Sequence, residues 1–240
     1  FTVIAIDNVG CNFSDGKYIK GMHCGVKAAI SACNYIKSQE RYKRMKIHIV
    51  GHSWGGYSAL CASSEVDCES VVSISAPLSP VSSLYCGVSN FVNKYIAFVL
   101  QPFWYLIDFL NFGFKGNENS AKYALKSRAK KILLIQGEFD TVVPLKYSAF
   151  GNLPENDKIK KLYAKGKYHN PYASVKAQKL LNELGERLTR SLKFSEEENK
   201  KYFNSFDFTA ATEEDEEVMK SISDFLCEWR TKYVDFIFFL

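Results

Sequence analysis

Histidine is scarce in this sequence, and cysteine lacks the spacing that zinc-ribbon and dithiol redox sites need. The chain of 240 residues has four histidines and seven cysteines. No two cysteines form a C-x-x-C pair, which excludes the usual motifs of both kinds of site. An odd number of scattered cysteines is typical of reduced thiols, so we expect a cytoplasmic protein.

A marked excess of one charge is also missing. The 31 Lys and Arg residues and the 26 Asp and Glu residues give a net charge of +5 that is spread along the chain. This distribution forms no basic block, so nucleic acid is not an expected partner. The chain begins with neither a methionine nor a basic segment, so no signal peptide is recognised.

Uninterrupted apolar runs that could cross a bilayer are absent as well. The most apolar segment, residues 91–114, contains Lys94, Pro102 and Asp108. We therefore predict a surface or lid element there rather than a membrane span. The terminal run YVDFIFFL is far too short to cross.

What the chain does have is a regular alternation of apolar patterns. Length and a hydrophobic content of 47% fit one globular domain, residues 1–240. Five apolar runs predict strands at residues 2–7, 46–50, 70–77, 130–137 and 158–166. Helical spacing predicts helices at residues 22–38, after residue 57, at 171–192, and from Thr212 and Asp215, which have capping-box spacing. This alternation predicts an α/β fold with a mainly parallel sheet and helices on both faces.

A serine between two glycines follows the second predicted strand. The stretch KIHIVGHSWGGYSAL, residues 46–60, holds Ser53 between Gly51 and Gly55. A strand that leads into G-x-S-x-G and then into a helix is the pattern of a nucleophile elbow, a tight turn that exposes the serine hydroxyl. A glycine-rich turn with an ordinary polar serine is the alternative. The flanking strand and helix favour a nucleophile.

A nucleophilic serine needs a base, and the base needs a carboxylate that orients it. His169 follows the fifth predicted strand, whereas the other three histidines precede Ser53. Asp140 follows the fourth predicted strand, with Glu138 and Asp157 as alternatives for the acid. Surface roles for His169 and Asp140 remain the competing interpretation. The order serine, aspartate, histidine along the chain is the one expected of a single fold.

These motifs together resemble the α/β-hydrolase-fold serine hydrolases. The matching pieces are DNVGCNFS, in which Asn12 stands where the family has a glycine, then GHSWGG, GEFDTVVP and KYHNP, and the similarity extends from Thr2 to about Leu192. The resemblance implies an esterase- or lipase-like enzyme that cleaves a small acyl substrate through an acyl-enzyme, without metal or organic cofactor. Amidases, aminopeptidases and thioesterases use the same triad, and a non-catalytic binding protein of this fold is the alternative outside enzymes.

The resemblance also implies an oxyanion hole made of two N–H donors. The backbone N–H of Trp54 would be one of them. The family's second donor lies after its third strand, and if residues 2–7 are the fourth strand, that donor lies upstream of Phe1. The chain is then expected to be a copy truncated at its N-terminus. The NVGCN loop is the alternative source of the second donor.

An insertion at residues 84–125 lies where the family has its lid. Its aromatic residues, which include Phe103 and Trp104, either line an apolar acyl pocket or pack with one another. We take Phe103 and Trp104 as the candidate substrate-binding residues. Contact between the aromatic lid and a membrane surface is compatible with an enzyme that acts on acyl compounds.

Overall fold

The structure, a computed structural model, describes residues 2–11, 13–189, 193–228 and 236–239. In this part of the chain, one parallel sheet contains the strands β1 (Thr2–Ala5), β2 (Ile47–His52), β3 (Ser70–Ile74), β4 (Lys131–Gly137), β5 (Ile159–Ala164) and β6 (Phe236–Phe239). Their order is β1-β6-β2-β3-β4-β5, and every neighbouring pair is parallel. The predicted α/β fold with a mainly parallel sheet is confirmed.

Helices connect the strands. They are α1 (His23–Ser38), α2 (Trp54–Ala62), α3 (Pro80–Phe91), α4 (Lys94–Phe112), α5 (Ser120–Leu125), α6 (Ala149–Asn152), α7 (Val175–Thr189), α8 (Glu196–Ser205), α9 (Phe208–Ala211) and α10 (Glu216–Cys227). Short side chains cap several of them. The Asn93 side chain accepts the N–H of Tyr95 at the start of α4, for example.

Alternate residues of the central strands face opposite sides of the sheet, as the twofold period of a strand requires. Ile49 and Val71, which are register partners, pack in one buried cluster with residues of α1 and α2. Val50 and Val72 pack in a second cluster with α10, which contributes Phe225. Both faces of the sheet are therefore covered by helices, which is why the strands read as continuous apolar runs.

The structure differs from the predicted elements in two places. The last helix begins at Glu216, because the Asp215 side chain accepts the N–H of Val218, whereas Thr212 lies at the end of α9. The charged stretch around residues 196–205, which the sequence leaves open as a surface loop or short helix, contains a helix, α8, with a capping box at Ser195. Strand β6 was not predicted at all, and it lies between β1 and β2.

The insertion between β3 and β4 consists of α3, α4, a 3₁₀ turn (Gly113–Asn117) and α5. Among the described residues, the helical stretch Lys94–Leu125 is long and apolar enough to cross a membrane by length and composition, although only 11% of its most apolar window is buried in the protein. Many large apolar side chains of this stretch are exposed, among them Tyr95, Phe98, Val99, Phe103, Leu106 and Leu110. The insertion is thus helical and leaves much of its apolar surface exposed.

Candidate active site

Ser53 lies in the turn between β2 and α2, in a backbone conformation that few residues adopt. Its φ is 54°, and Ser75 is the only other non-glycine residue with positive φ in the described part of the chain. Its N–H donates to the carbonyl of Ile74 at 2.8 Å, which holds the turn in place. A Cβ at Gly51 would lie 2.3 Å from the carbonyl carbon of Gly55, so the crossing of strand and helix requires glycine there. Positive φ at a serine is strained, and such strain is often found at functional sites.

The three side chains predicted to form a triad lie in one hydrogen-bonded series. His169 Nε2 lies 2.9 Å from Ser53 Oγ. His169 Nδ1 lies 2.9 Å and 3.1 Å from the two carboxylate oxygens of Asp140. Because a carboxylate only accepts, Nδ1 carries the imidazole proton, and Nε2 is left to accept the hydrogen of the serine hydroxyl.

The carboxylate of Asp140 is buried, with a side chain that is 1% exposed, but it is fully supplied with donors. Its Oδ1 accepts the N–H groups of Val142 at 3.0 Å and Val143 at 2.8 Å. Its Oδ2 accepts Gln136 Nε2 at 2.7 Å in addition to His169. These donors offset the cost of burying a charge and fix the orientation of the carboxylate.

The two alternative acids lie elsewhere. Glu138 is exposed, and its carboxylate accepts the N–H of Gly166 at 2.8 Å. Asp157 is exposed in the turn before β5. Neither makes a described contact with His169, whereas Asp140 makes two.

His52, which directly precedes Ser53, also contacts the loop that carries His169. Its Nε2 lies 2.9 Å from the backbone carbonyl of His169 and therefore donates the hydrogen. The two imidazole rings lie 4.8 Å apart, and Tyr172 packs edge-on against His52. Burial, followed by the neighbouring His169, lowers the pKa of His52 to about 4, so the ring is neutral at neutral pH. His52 is not a candidate for the base in the sequence because it precedes Ser53, and its contact is not predictable there because the partner is a backbone atom far along the chain.

Trp54 is the first residue of α2, so its backbone N–H has no partner within the helix. The partial positive charge at the N-terminus of α2 also lies here, beside Ser53. The indole Nε1 of Trp54 donates to the carbonyl of Met22 at 2.7 Å, which fixes the side chain. The geometry therefore leaves the predicted oxyanion donor available.

The NVGCN loop, the alternative source of a second donor, uses two of its N–H groups internally. Gly10 donates to the carbonyl of Asp15 at 3.1 Å, and Cys11 donates to that of Asn8 at 2.9 Å. Asn12 and Phe1 lie outside the described residues. The origin of the second oxyanion donor stays a prediction.

A cavity of about 360 Å³ lies beside the elbow and beneath α4. Its walls include Met22, Trp54, Leu84, Trp104, Ile107 and Asp108. Phe103 is not among the lining residues and is 59% exposed. Of the two predicted substrate-binding residues, the structure thus brings only Trp104 to this cavity.

Comparisons with known proteins give a fold and no sequence family. No protein-family model matches the chain, and no curated protein matches it significantly. Among solved structures, the chain is similar to the esterase Pf2001 of Pyrococcus furiosus. In the P212121 crystal form, the identity is 21% and the TM-score 0.52, with 77% of this chain and 68% of that chain covered. In the P21 form, the identity is 20% and the TM-score 0.50, with 78% and 68% covered.

Identity at this level carries information about the fold alone. The parallel sheet with helices on both faces and the strand-turn-helix at Ser53 are features of the α/β-hydrolase fold, and the overall fold matches that of the esterase. The chain therefore has the α/β-hydrolase fold.

Proposed function

We propose that this protein is a serine hydrolase that cleaves a carboxylic ester through an acyl-enzyme intermediate. The observation that carries the proposal is the hydrogen-bonded series from Ser53 Oγ to His169 Nε2, at 2.9 Å, and from His169 Nδ1 to Asp140. This arrangement supplies a nucleophile, a base that can take its proton, and a carboxylate that orients the base.

In the proposed reaction, His169 Nε2 takes the hydroxyl proton as Ser53 Oγ forms a bond to the acyl carbon. The carbonyl oxygen becomes an oxyanion, which the N–H of Trp54 stabilises. The bond from carbon to the leaving oxygen then breaks, and His169 gives its proton to the departing alcohol. Water repeats these steps on the acyl-enzyme and restores the serine. Asp140 stabilises the imidazolium in both halves of the cycle.

The choice of an ester is supported by the similarity to Pf2001, which is named as an esterase. Amides and thioesters are the alternative substrates for the same three residues, and a non-catalytic binding protein is the alternative outside enzymes. A panel of matched octanoyl esters, amides and thioesters, assayed with wild-type protein and Ser53→Ala, separates these cases. Faster turnover of the amide or thioester would replace the ester in this proposal.

Labelling with a fluorophosphonate probe tests the nucleophile directly. We expect the wild-type protein to be labelled once, Ser53→Ala to remain unlabelled, and His169→Ala to react much more slowly. Ser75→Ala is the matched control, because Ser75 is the other serine with positive φ, 49°, and should keep full labelling. Labelling that survives Ser53→Ala would contradict the proposal.

We also propose that the exposed apolar face of α4 rests on a lipid surface. Phe98, Val99 and Leu110 are 68%, 63% and 73% exposed on this helix. Soluble proteins rarely leave a large contiguous apolar patch in water, and aromatic side chains such as those of α4 favour the boundary between lipid and water. In a liposome flotation assay, Phe98→Ser with Leu110→Ser should reduce the floating fraction, whereas Tyr35→Ser, at a residue 66% exposed on α1, should not. Equal floating fractions for the wild type, the Phe98→Ser, Leu110→Ser double variant and Tyr35→Ser would contradict the proposed contact with lipid.

A cytoplasmic location is a further proposal. The seven cysteines are all unpaired thiols, which is the state that a reducing compartment maintains. Immunodetection after cell fractionation tests it, and recovery of the protein mainly in a secreted or organellar fraction would contradict it.

A further inference from the structure

Asp108 is a buried acid with an unsatisfied carboxylate oxygen. It lies on α4 and is 6% exposed, and its buried Oδ2 has no hydrogen-bond partner among the described residues. Burial raises the pKa of its carboxyl to about 6. Buried carboxyl groups are normally supplied with donors, as Asp140 is by two backbone N–H groups and two side chains. A buried carboxylate oxygen that lacks a donor within the protein can be satisfied by a donor on a bound ligand.

Asp108 lines the cavity beside the elbow, together with Gly21, Trp54 and Trp104. A Cβ at Gly21 would lie 3.0 Å from Asp108 Oδ1 and 2.9 Å from a ring carbon of Phe112. Because Gly21 has no side chain, the position next to Oδ1 is not filled by a Cβ, and both residues line the same apolar space of about 360 Å³.

We propose that this cavity binds an alkylammonium group, with the cation held by Asp108 and its apolar chain packed between Trp54 and Trp104. An ammonium donates charge-assisted hydrogen bonds to a carboxylate and is also attracted to the face of an indole ring. A carboxylate that has no counter-charge favours a cation over a neutral hydroxyl, because pairing offsets the cost of its burial. Lys20 is the other charged residue of the lining, but its side chain is exposed and makes no ion pair with Asp108.

This inference deepens the proposed function, because Trp54 directly follows the nucleophile and the cavity would hold the acyl chain of an ester substrate, with an amine at the far end of that chain. That part rests on the proposed function. Binding of an alkylammonium ion itself does not, since it needs no catalysis and can be measured on Ser53→Ala.

Tryptophan fluorescence provides the measurement, because two of the three tryptophans of the chain line the cavity. n-Octylamine and 1-octanol, which differ in the ammonium group, are titrated at about pH 8, where the amine is protonated and Asp108 is ionised. We expect octylamine to bind Ser53→Ala saturably and to bind the double variant with Asp108→Asn about tenfold to a hundredfold more weakly, as for the loss of a charged hydrogen bond. The affinity for octanol should change by less than about twofold. Equal octylamine affinity with and without Asp108→Asn would overturn the proposal.

Gly21→Ala gives an independent test in a protein that keeps Asp108. It should weaken octylamine binding by filling the space next to Oδ1. Circular dichroism verifies its folding, because a side chain at the φ of +156° of Gly21 is strained. Lys17→Ala is the control, because Lys17 is an exposed lysine outside the lining of the cavity, and it should leave octylamine binding unchanged. Octylamine affinity that survives Gly21→Ala would also contradict the proposal. The result for octylamine binding can be distinguished from the result for hydrolase activity. Absent fluorophosphonate labelling with intact octylamine binding removes the hydrolase only, and the reverse result removes the ammonium site only.

Discussion

Replacing Asp140 with asparagine tests how the acid acts on the base. The amide oxygen can take the place of Oδ1 and keep the N–H bonds from Val142 and Val143, at 3.0 and 2.8 Å. Its NH₂ group then stands where Oδ2 was, facing two donors, Gln136 Nε2 at 2.7 Å and His169 Nδ1 at 2.9 Å. His169 Nδ1 then faces a donor at its nearer contact and keeps only the longer one, 3.1 Å to the retained oxygen, so the tautomer with the proton on Nε2 is favoured. An imidazole protonated on Nε2 cannot accept the proton of Ser53.

The size of the effect follows from this change of tautomer. A substitution of this kind in a Ser-His-Asp triad lowers kcat by roughly 10⁴-fold while the geometry remains intact. KM should change little, since the substrate is not bound by Asp140. Gln136 loses an acceptor, so we also expect a loss of about 1–3 kcal/mol in the free energy of unfolding.

The assay is steady-state hydrolysis of a chromogenic ester, with circular dichroism and urea titration to verify folding. Glu138→Gln is the matched control. In the described part of the chain, the exposed Glu138 carboxylate accepts the N–H of Gly166 and makes no contact with His169, so the kcat of this variant should stay within about twofold of wild type. Full activity of folded Asp140→Asn, or a large loss in Glu138→Gln, would refute the assignment of the acid.

Three further predictions concern the elbow, the cavity and a buried histidine. Gly51→Ala places a Cβ 2.3 Å from a backbone carbonyl carbon and should lower the free energy of unfolding by about 3 kcal/mol or more. Gly87→Ala, in open space on α3, should raise it by about 0.5–1 kcal/mol. Equal urea midpoints for the two variants would contradict this prediction. Trp104→Ser should shift ester preference toward short acyl chains, because Trp104 lines the cavity, and Phe103→Ser should not; identical chain-length profiles would show that the cavity does not hold the acyl group. Burial, followed by neighbouring lysines, lowers the pKa of His23 to about 4. The unfolded chain therefore binds this proton first, so the stability that neutral His23 contributes is full above about pH 6.5 and falls as the pH drops toward 4. Between about pH 7 and pH 5, urea titrations should show a smaller loss of unfolding free energy for His23→Gln than for the wild type, and an equal loss would contradict the assignment.

The elbow was predictable because its signal is local. A buried strand, two glycines and the start of a helix follow one another within residues 46–60, and each has a direct physical reason. The positions of Asp140 and His169 were predictable for a related reason. Both follow parallel strands, and the ends of such strands meet at one edge of the sheet.

The contacts that were missed depend on pairing between distant parts of the chain. Strand β6 is a short aromatic run, and nothing in its composition says that it pairs with β1 and β2. In the sequence, Asp108 interrupts an apolar segment, which argues against a membrane span. Only the fold shows that it is buried in the protein, next to the space left by Gly21. The bond from His52 to the carbonyl of His169 is likewise a product of tertiary packing.

The central claim is that Ser53 Oγ carries the acyl group during turnover. Wild-type protein mixed with p-nitrophenyl acetate and quenched in acid can be digested and analysed by mass spectrometry, with Ser53→Ala as the control. The account predicts one acetyl group on the peptide that contains Ser53 in the wild-type protein and none in Ser53→Ala. An acetyl group on another residue in the wild-type protein, or hydrolysis that continues at the wild-type rate in Ser53→Ala, would contradict it.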